Sequence, residues 1–201
     1  MGTIIDKLFD FIVQNLWENI VFWRVAAILF FVLSVLAFTF KKQILKILQR
    51  ETIIASDKVI FTKSDQIFNE RQFMDFIDNL GVNRCNSGQN RMAVSFTRFF
   101  REVGNQYLDK SMRKSCNKLI NELEELLTFV ATHFFVYPNK QDFKDTENVQ
   151  SALYPDILHG STKNPAYQDA LEYQKQLYLR LDNIVPIFKQ YRTNIKDKLF
   201  V

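Results

Sequence analysis

Four polar side chains near the N terminus are spaced so that they could act together on ions. Asp6, Asp10, Gln14 and Glu18 follow one another at intervals of four residues, which places them on one face of a helix. Two interpretations stay open. Copies of the helix can form a ring in which this acidic arc faces a water-filled lumen and favours cations. Alternatively, the amphipathic segment lies on the outer leaflet of a membrane as an interfacial helix.

Arg24 lies at the edge of the apolar run that follows the acidic arc. A long cationic side chain at such a boundary extends its charge to the interface while its stem stays in the apolar layer. The alternative is a functional charge in an oligomeric channel. We therefore group Arg24 with the acidic arc as the candidate pore-lining residues.

The two histidines are weak candidates for acid–base catalysis. His133 lies in an apolar stretch, which is typical of a hydrogen-bonded structural histidine, and His159 lies in a predicted loop before Gly160. The sequence has no G-x-x-x-x-G-K-[ST], G-x-S-x-G or H-E-x-x-H motif, and Cys85 and Cys116 do not form a metal-binding pair. The sequence therefore predicts no catalytic residue, no metal and no cofactor.

A long apolar segment follows the acidic arc and must position it at a membrane. Residues 25–40 read VAAILFFVLSVLAFTF, without charge, Gly or Pro. Extended back to residue 19, the segment reaches about 33 Å as a helix, enough to cross a hydrocarbon core of ~30 Å. Interfacial anchors are expected on both sides, namely Trp17, Trp23, Lys41 and Lys42. A transmembrane helix over 19–40 is predicted, in preference to a buried core helix or a cleaved signal peptide.

The charges on the two sides of the predicted span differ in sign. Lys41, Lys42, Lys46 and Arg50 follow it, whereas the preceding segment is net acidic. Because cytoplasmic flanks carry excess Lys and Arg, the C-terminal domain is predicted in the cytoplasm and the N terminus outside. The expected location is the bacterial inner membrane, with a single pass.

The rest of the chain is predicted to be all-α. Phe is abundant at 20 residues, while 5 Gly and 4 Pro are too few for a turn-rich β fold. We expect four regions: an amphipathic N-terminal helix over 1–18, the transmembrane helix over 19–40, a basic juxtamembrane helix and linker over 41–64, and a cytosolic antiparallel helical bundle over 65–201. Within 41–64, an extended stretch is expected at Lys58–Thr62.

Several local features of the bundle are predicted from pattern. Asn69 begins a capping box and Gly81 ends its helix, an exposed loop covers Val82–Gln89, and the next helix runs from Arg91 to Tyr107. Core positions expected on that next helix are Val94, Phe99, Val103 and Tyr107.

The second half of the bundle is predicted to contain two long helices. Asp109 caps a helix over Lys110–Phe134, which presents Glu122, Glu124 and Glu125 as a solvated face. Its apolar stripe, which recurs at helical spacing, consists of Met112, Cys116, Leu119, Ile120, Leu123, Leu126, Leu127, Val130 and Phe134. The polar stretch after this helix, as far as Lys163, is expected to be a loop around a short apolar piece at Ala152–Leu158. The final helix starts at Asn164–Pro165 and is kinked at Pro186.

Two stretches, FFREVGNQYLD at 99–109 and LLTFVATHFFVYP at 126–138, carry a resemblance to a known family. With the apolar N-terminal helix and basic linker, they resemble the membrane accessory proteins of type VI-B CRISPR loci. The resemblance implies a divergent HEPN-like bundle, a pore-like oligomer that impairs the host membrane, and an RNA-guided ribonuclease as partner. Neither His133 nor His159 completes the Arg-x(4–6)-His motif of HEPN ribonucleases.

The sequence therefore favours a noncatalytic membrane effector of antiviral defence. Its expected partners are the lipid bilayer, further copies of the same chain, and an RNA-guided ribonuclease or RNA. The chain carries 26 Lys and Arg against 22 Asp and Glu, a modest basic excess that suits either anionic lipid or nucleic acid. Two alternatives remain. One is a membrane-tethered RNA-binding or ribonuclease module that uses the basic bundle and the Arg84–Arg91 loop, with His133 or His159 as acid or base. The other is a membrane scaffold.

Overall fold

The chain is mainly helical. A computed structural model describes residues 4–13, 20–137, 149–158 and 166–200. The elements in chain order are α1 (Ile4–Ile12), α2 (Ile20–Ile67), α3 (Glu70–Gly81), β1 (Arg84–Asn86), α4 (Ser87–Arg101), a 3₁₀ turn (Val103–Asn105), α5 (Lys110–His133), β2 (Phe134–Val136), β3 (Gln150–Leu153), α6 (Pro155–Leu158) and α7 (Tyr167–Leu199). The predicted all-α class is confirmed, with a small sheet that the sequence did not predict.

The chain divides into two compact units, Met1–Thr52 and Ile53–Val201, and the division falls inside α2. In the first unit α2 is long and apolar enough to span a membrane, and none of its apolar window is buried. The core helix of a soluble protein would be mostly buried. The alternative that this apolar segment is a buried core helix therefore does not fit. The coarse prediction of an apolar helix near the N terminus is confirmed.

The predicted linker is helical. Glu51–Ser64, including the stretch Lys58–Thr62 that we expected to be extended, is part of α2. Asp57, Ile60 and Ser64 are buried in the second unit. These positions recur at helical spacing, so this part of α2 supplies one face to the core. The β-branched residues around Val59 suggested a strand, but burial of one helical face outweighed that local preference.

The bundle is organised around α5 and α7. In α5 the buried positions follow the predicted stripe from Met112 to Val130, and Asp109 caps the helix by accepting from the backbone N–H groups of Ser111 and Met112. Both predictions are confirmed. The helix ends at His133, one residue before the predicted end.

Polar contacts between α5 and α7 run in opposite directions along the two helices. Asn183 contacts Glu122, Arg180 contacts Glu125, and Lys198 lies 3.6 Å from Asp109 at the start of α5. Residues later in α7 therefore contact residues earlier in or just before α5. The two helices are antiparallel, as predicted.

Aromatic rings fill much of the core. Phe73 of α3 stacks on Phe188 of α7 with ring centroids 3.8 Å apart, and Phe68 makes edge contacts with Phe73, Phe76 and Phe96. Such pairs add to the stabilisation from apolar burial. The high Phe content is therefore used in the bundle as well as in the apolar segment.

The predicted capping box of α3 is present. Asn69 Oδ1 accepts from the backbone N–H of Gln72, and Gln72 Oε1 accepts from the backbone N–H of Asn69. Gly81 is the last helical residue, and the left-handed backbone conformation falls two residues later on Asn83, with φ of 61°. Asparagine tolerates that conformation better than most residues.

The predicted exposed loop at Val82–Gln89 was wrong. β1 lies within it and pairs antiparallel with β3, which also pairs with β2, giving the order β1-β3-β2. Cys85 is buried, and α4 begins at Ser87, capped by Asn86. The polar, turn-like composition concealed a three-residue strand whose partner is distant in sequence.

The prediction of which residues of this helix, α4, are buried was also wrong in part. The buried residues are Ala93, Phe96, Thr97 and Phe100, whereas Val103 is exposed in the 3₁₀ turn that follows the helix. Among the four predicted positions, Tyr107 is buried and Val94 and Phe99 are partly buried. The buried face includes the small residue Ala93 and the polar residue Thr97. A prediction based on large apolar residues alone therefore placed the buried face incorrectly.

Helix α7 starts at Tyr167 and is helical throughout, including at Pro186. The predicted start at Asn164–Pro165 lies outside the described residues. The polar region predicted as loop around Ala152–Leu158 instead contains β3 and the short helix α6.

Candidate functional site

Half of the acidic arc lies in the described part of the chain. Asp6 and Asp10 are exposed on α1, together with Lys7, while Phe9 and Phe11 are also exposed. α1 is therefore a short helix that offers both carboxylates and aromatic rings to its surroundings. Gln14, Trp17 and Glu18 lie outside the described residues.

Exposed apolar side chains cover the first part of α2. Their exposed fractions reach 74% at Phe30 and 70% at Phe31 and Phe38. Such a continuous apolar surface on a helix is far larger than the patches that soluble monomers tolerate in water. This surface requires lipid tails or other protein around it.

The charged and aromatic residues predicted to flank the apolar surface are exposed on α2. Trp23 and Arg24 lie at its N-terminal side, and Lys41 and Lys42 at its C-terminal side. Between Arg24 and Lys41 the helix carries no charged residue. Side chains of these types are able to reach headgroups from either edge of an apolar layer.

His133 lies half-buried among aromatic rings at the end of α5. Its Nδ1 lies 2.8 Å from the Tyr154 hydroxyl, and its ring stacks on Tyr173 at 4.3 Å and contacts Phe129 at 4.5 Å. Desolvation, together with the positive charge of Arg180, lowers the pKa of His133 below its ordinary value of 6.5. The imidazole is therefore held neutral in a packed position, as in a structural histidine. His159 lies outside the described residues.

The three glutamates predicted as a solvated face each have a partner. Glu124 receives hydrogen bonds from Arg101, one of them 2.8 Å from Nε, Glu125 from Arg180, and Glu122 from Asn183. A cleft of about 600 Å³ next to them is lined by residues of α5 and α7, including His133. Because Arg180, the arginine in its described lining, is already paired with Glu125, this cleft offers no unpaired arginine to an anionic ligand.

A buried polar cluster joins α2, α7 and the segment that precedes α5, and the sequence did not point to it. The hydroxyls of Tyr107 and Tyr191 are 2.9 Å apart, and Asp57 and Ser64 are buried nearby on α2. Burial raises the pKa of both tyrosines above the ordinary value, so both hydroxyls stay protonated. The signal was the helical spacing of Asp57 and Ser64 in an apparently polar linker, and it is visible only once the helix is known.

The cysteines and acidic residues form no metal centre in the described ranges. No group of three or more His, Cys, Asp or Glu is close enough to hold an ion there. Burial raises the pKa of Cys85 to about 11 and also raises that of Cys116, so both thiols stay protonated. The predicted absence of a metal site remains a prediction for the whole chain.

Comparison with known proteins adds no relative. No family model, no curated protein sequence and no solved structure matches the chain. The class defined by the fold is a helical bundle joined to an apolar helix long enough to span a membrane.

Proposed function

We propose that this chain is a noncatalytic membrane effector whose copies assemble through their apolar helices into a pore-like oligomer. The observation that carries the proposal is the exposed apolar surface of α2 between Ile20 and Phe40. In water such a surface is strongly unfavourable. In a bilayer it is covered by lipid tails and by the same surface of neighbouring copies.

The acidic helix α1 supports the pore rather than a simple anchor. An interfacial helix usually carries basic residues on its polar face, which anionic headgroups attract. α1 instead exposes Asp6 and Asp10 with one lysine. Carboxylates that line a lumen attract cations, so the acidic arc would set the ion preference.

The second unit supports a role without catalysis. His133 is hydrogen-bonded within an aromatic cluster, and Arg101 and Arg180 are paired with glutamates. The bundle would then hold the copies together and would bind the partner that triggers the pore.

The proposal extends to topology and setting. With Lys41, Lys42, Lys46 and Arg50 after the span, the bundle would lie in the cytoplasm and the N terminus outside a bacterial inner membrane. The resemblance to accessory proteins of type VI-B CRISPR loci supports antiviral defence as the setting, with an RNA-guided ribonuclease as the partner that triggers the pore.

Conductance across a planar bilayer tests this proposal. Purified oligomer is expected to give discrete current steps with potassium more permeant than chloride. In the quadruple variant Asp6→Asn, Asp10→Asn, Gln14→Ala and Glu18→Gln, this cation preference should fall several-fold. Asp182→Asn is the matched control, because it removes an exposed carboxylate of α7 and should leave selectivity unchanged. Absence of any conductance would remove the pore.

A further inference from the structure

A polar groove lies on the second unit at the junction of α3, β1 and α4. It consists of two adjoining cavities of about 580 and 500 Å³ that share Asn86 and Gln89 in their linings. We refer to it as the amide groove, defined by Asn79, Arg84, Asn86, Gln89, Arg91 and Ser151. Each cavity falls within the range of ~300–1,000 Å³ that is usual for small-molecule sites.

Among the residues that the structure describes, nothing neutralises the positive charge of the amide groove. Arg84 and Arg91 are exposed, and neither has an ion pair or hydrogen bond in the ranges that the structure describes. No aspartate or glutamate lines either cavity among the same residues. The cleft beside α5 and α7 differs, because Arg180 in its lining is paired with Glu125, and Glu124 lines it as well. The groove is therefore suited to an anion such as a phosphate, which arginine binds through two N–H groups.

The amides of the groove are arranged in a complementary pair. Asn79 Nδ2 donates a hydrogen bond of 2.8 Å to Gln89 Oε1. This bond fixes both side chains and leaves the Asn79 carbonyl as an acceptor and the Gln89 amino group as a donor. Asn86 Oδ1 accepts from the Gly88 backbone N–H, so its own amino group remains a second donor. Adjacent donors and acceptors of this kind match the edge of a nucleobase.

We infer that the amide groove binds a nucleotide, with the base edge on Asn79 and Gln89 and the phosphate on Arg84 and Arg91. The chemistry is shared by a free nucleotide and by a nucleotide unit within single-stranded RNA. The site is independent of the proposed pore, because all six of its residues belong to the second unit. An acidic peptide would use the arginines but would leave the paired amides without a match.

Fluorescence anisotropy on the full chain in lipid nanodiscs tests this inference. The probe is a 5′-labelled single-stranded oligoribonucleotide, with unlabelled AMP, GMP, CMP and UMP as competitors. If mononucleotides compete at a concentration comparable to that of the nucleotide units in the RNA, the ligand is a free nucleotide. If only the oligoribonucleotide binds, the ligand is RNA. Either result supports the inference if the groove variants weaken it.

The variants separate the two parts of the site. Arg84→Ala with Arg91→Ala should weaken binding at least tenfold and reduce its dependence on salt concentration. Gln89→Ala should weaken binding at least fivefold with the salt dependence unchanged, since it removes a base contact only. Arg71→Ala is the matched control, because Arg71 is an exposed arginine of α3 that contacts Asp75 and does not line the groove.

Three results would overturn the inference. They are no binding of the labelled oligoribonucleotide, binding that the two arginine substitutions leave unchanged, and displacement of RNA by polyglutamate as effective as that by nucleotides. The last would make the groove a general anion surface. None of these results depends on conductance, so failure of the pore and failure of the groove are distinguishable.

Discussion

The side chain of Asp57 accepts a hydrogen bond of 2.7 Å from the backbone N–H of Leu108, and its second oxygen accepts one of 2.9 Å from Asp109. Asp57 is fully buried in α2, and Asp109 is the N-cap of α5. One carboxylate therefore ties the part of α2 after residue 52 to the start of the central helix of the bundle.

Removing this carboxylate should destabilise the bundle. Asp57→Ala leaves two backbone N–H groups without an acceptor, and we expect a loss of about 2 kcal/mol in the free energy of unfolding. Urea titration of the full chain in detergent, followed by far-UV circular dichroism, measures it. Tryptophan fluorescence is less suitable, since both tryptophans precede Arg24. Asp182→Asn, at an exposed site, should change the value by less than about 0.5 kcal/mol.

The hydroxyls of Tyr107 and Tyr191 should depend on each other. Tyr191→Phe leaves the Tyr107 hydroxyl buried without this partner, and a loss of about 1–2 kcal/mol is expected. The double variant with Tyr107→Phe should lose less than the sum of the two single variants, because it removes both polar groups. Simple additivity in the same urea titration would contradict a direct hydrogen bond.

Stability should fall in mild acid because of His133. Its pKa is lowered in the folded state, mainly by desolvation, so the unfolded chain binds the proton more readily. The contribution of His133 to the free energy of unfolding is therefore fully present above the pKa of the unfolded chain, about 6.5. It is lost as the pH falls from that value towards the lower pKa of the folded state. In His133→Gln this part of the pH dependence should be absent. If His159→Gln removed it instead, the assignment to His133 would be wrong.

The proposed topology predicts which introduced cysteines react from outside. Lys7→Cys should react with a membrane-impermeant maleimide in intact spheroplasts, whereas Lys175→Cys, on an exposed side chain of α7, should react only after lysis. The native thiols give little background, because Cys85 and Cys116 are buried. The reverse pattern would place the bundle outside the cytoplasm.

The features predicted correctly from the sequence share a strong local signal. The stripe of α5, the cap at Asp109 and the capping box at Asn69 are all decided within one or two helical turns. The apolar helix is equally clear, because no charge interrupts residues 25–40.

The features that were missed depend on contacts distant in sequence. β1 exists because Arg84–Asn86 pair with Gln150–Ala152, and nothing local distinguishes such a strand from a loop. Helix continuation through Glu51–Ser64 depends on burial of Asp57, whose partners lie fifty residues away. The pairing of Asn79 with Gln89 in the amide groove was missed for the same reason, since these amides come from α3 and α4 and carry no motif.

The mass of the particle in solution tests the proposed assembly most directly. Multi-angle light scattering on the full chain in mild detergent, corrected for bound detergent, gives the protein mass alone. The proposal predicts a single closed oligomer of several 23.8 kDa copies, with a mass that does not change on dilution. A protein mass of one copy at all concentrations would contradict a pore and leave α2 as a simple membrane anchor.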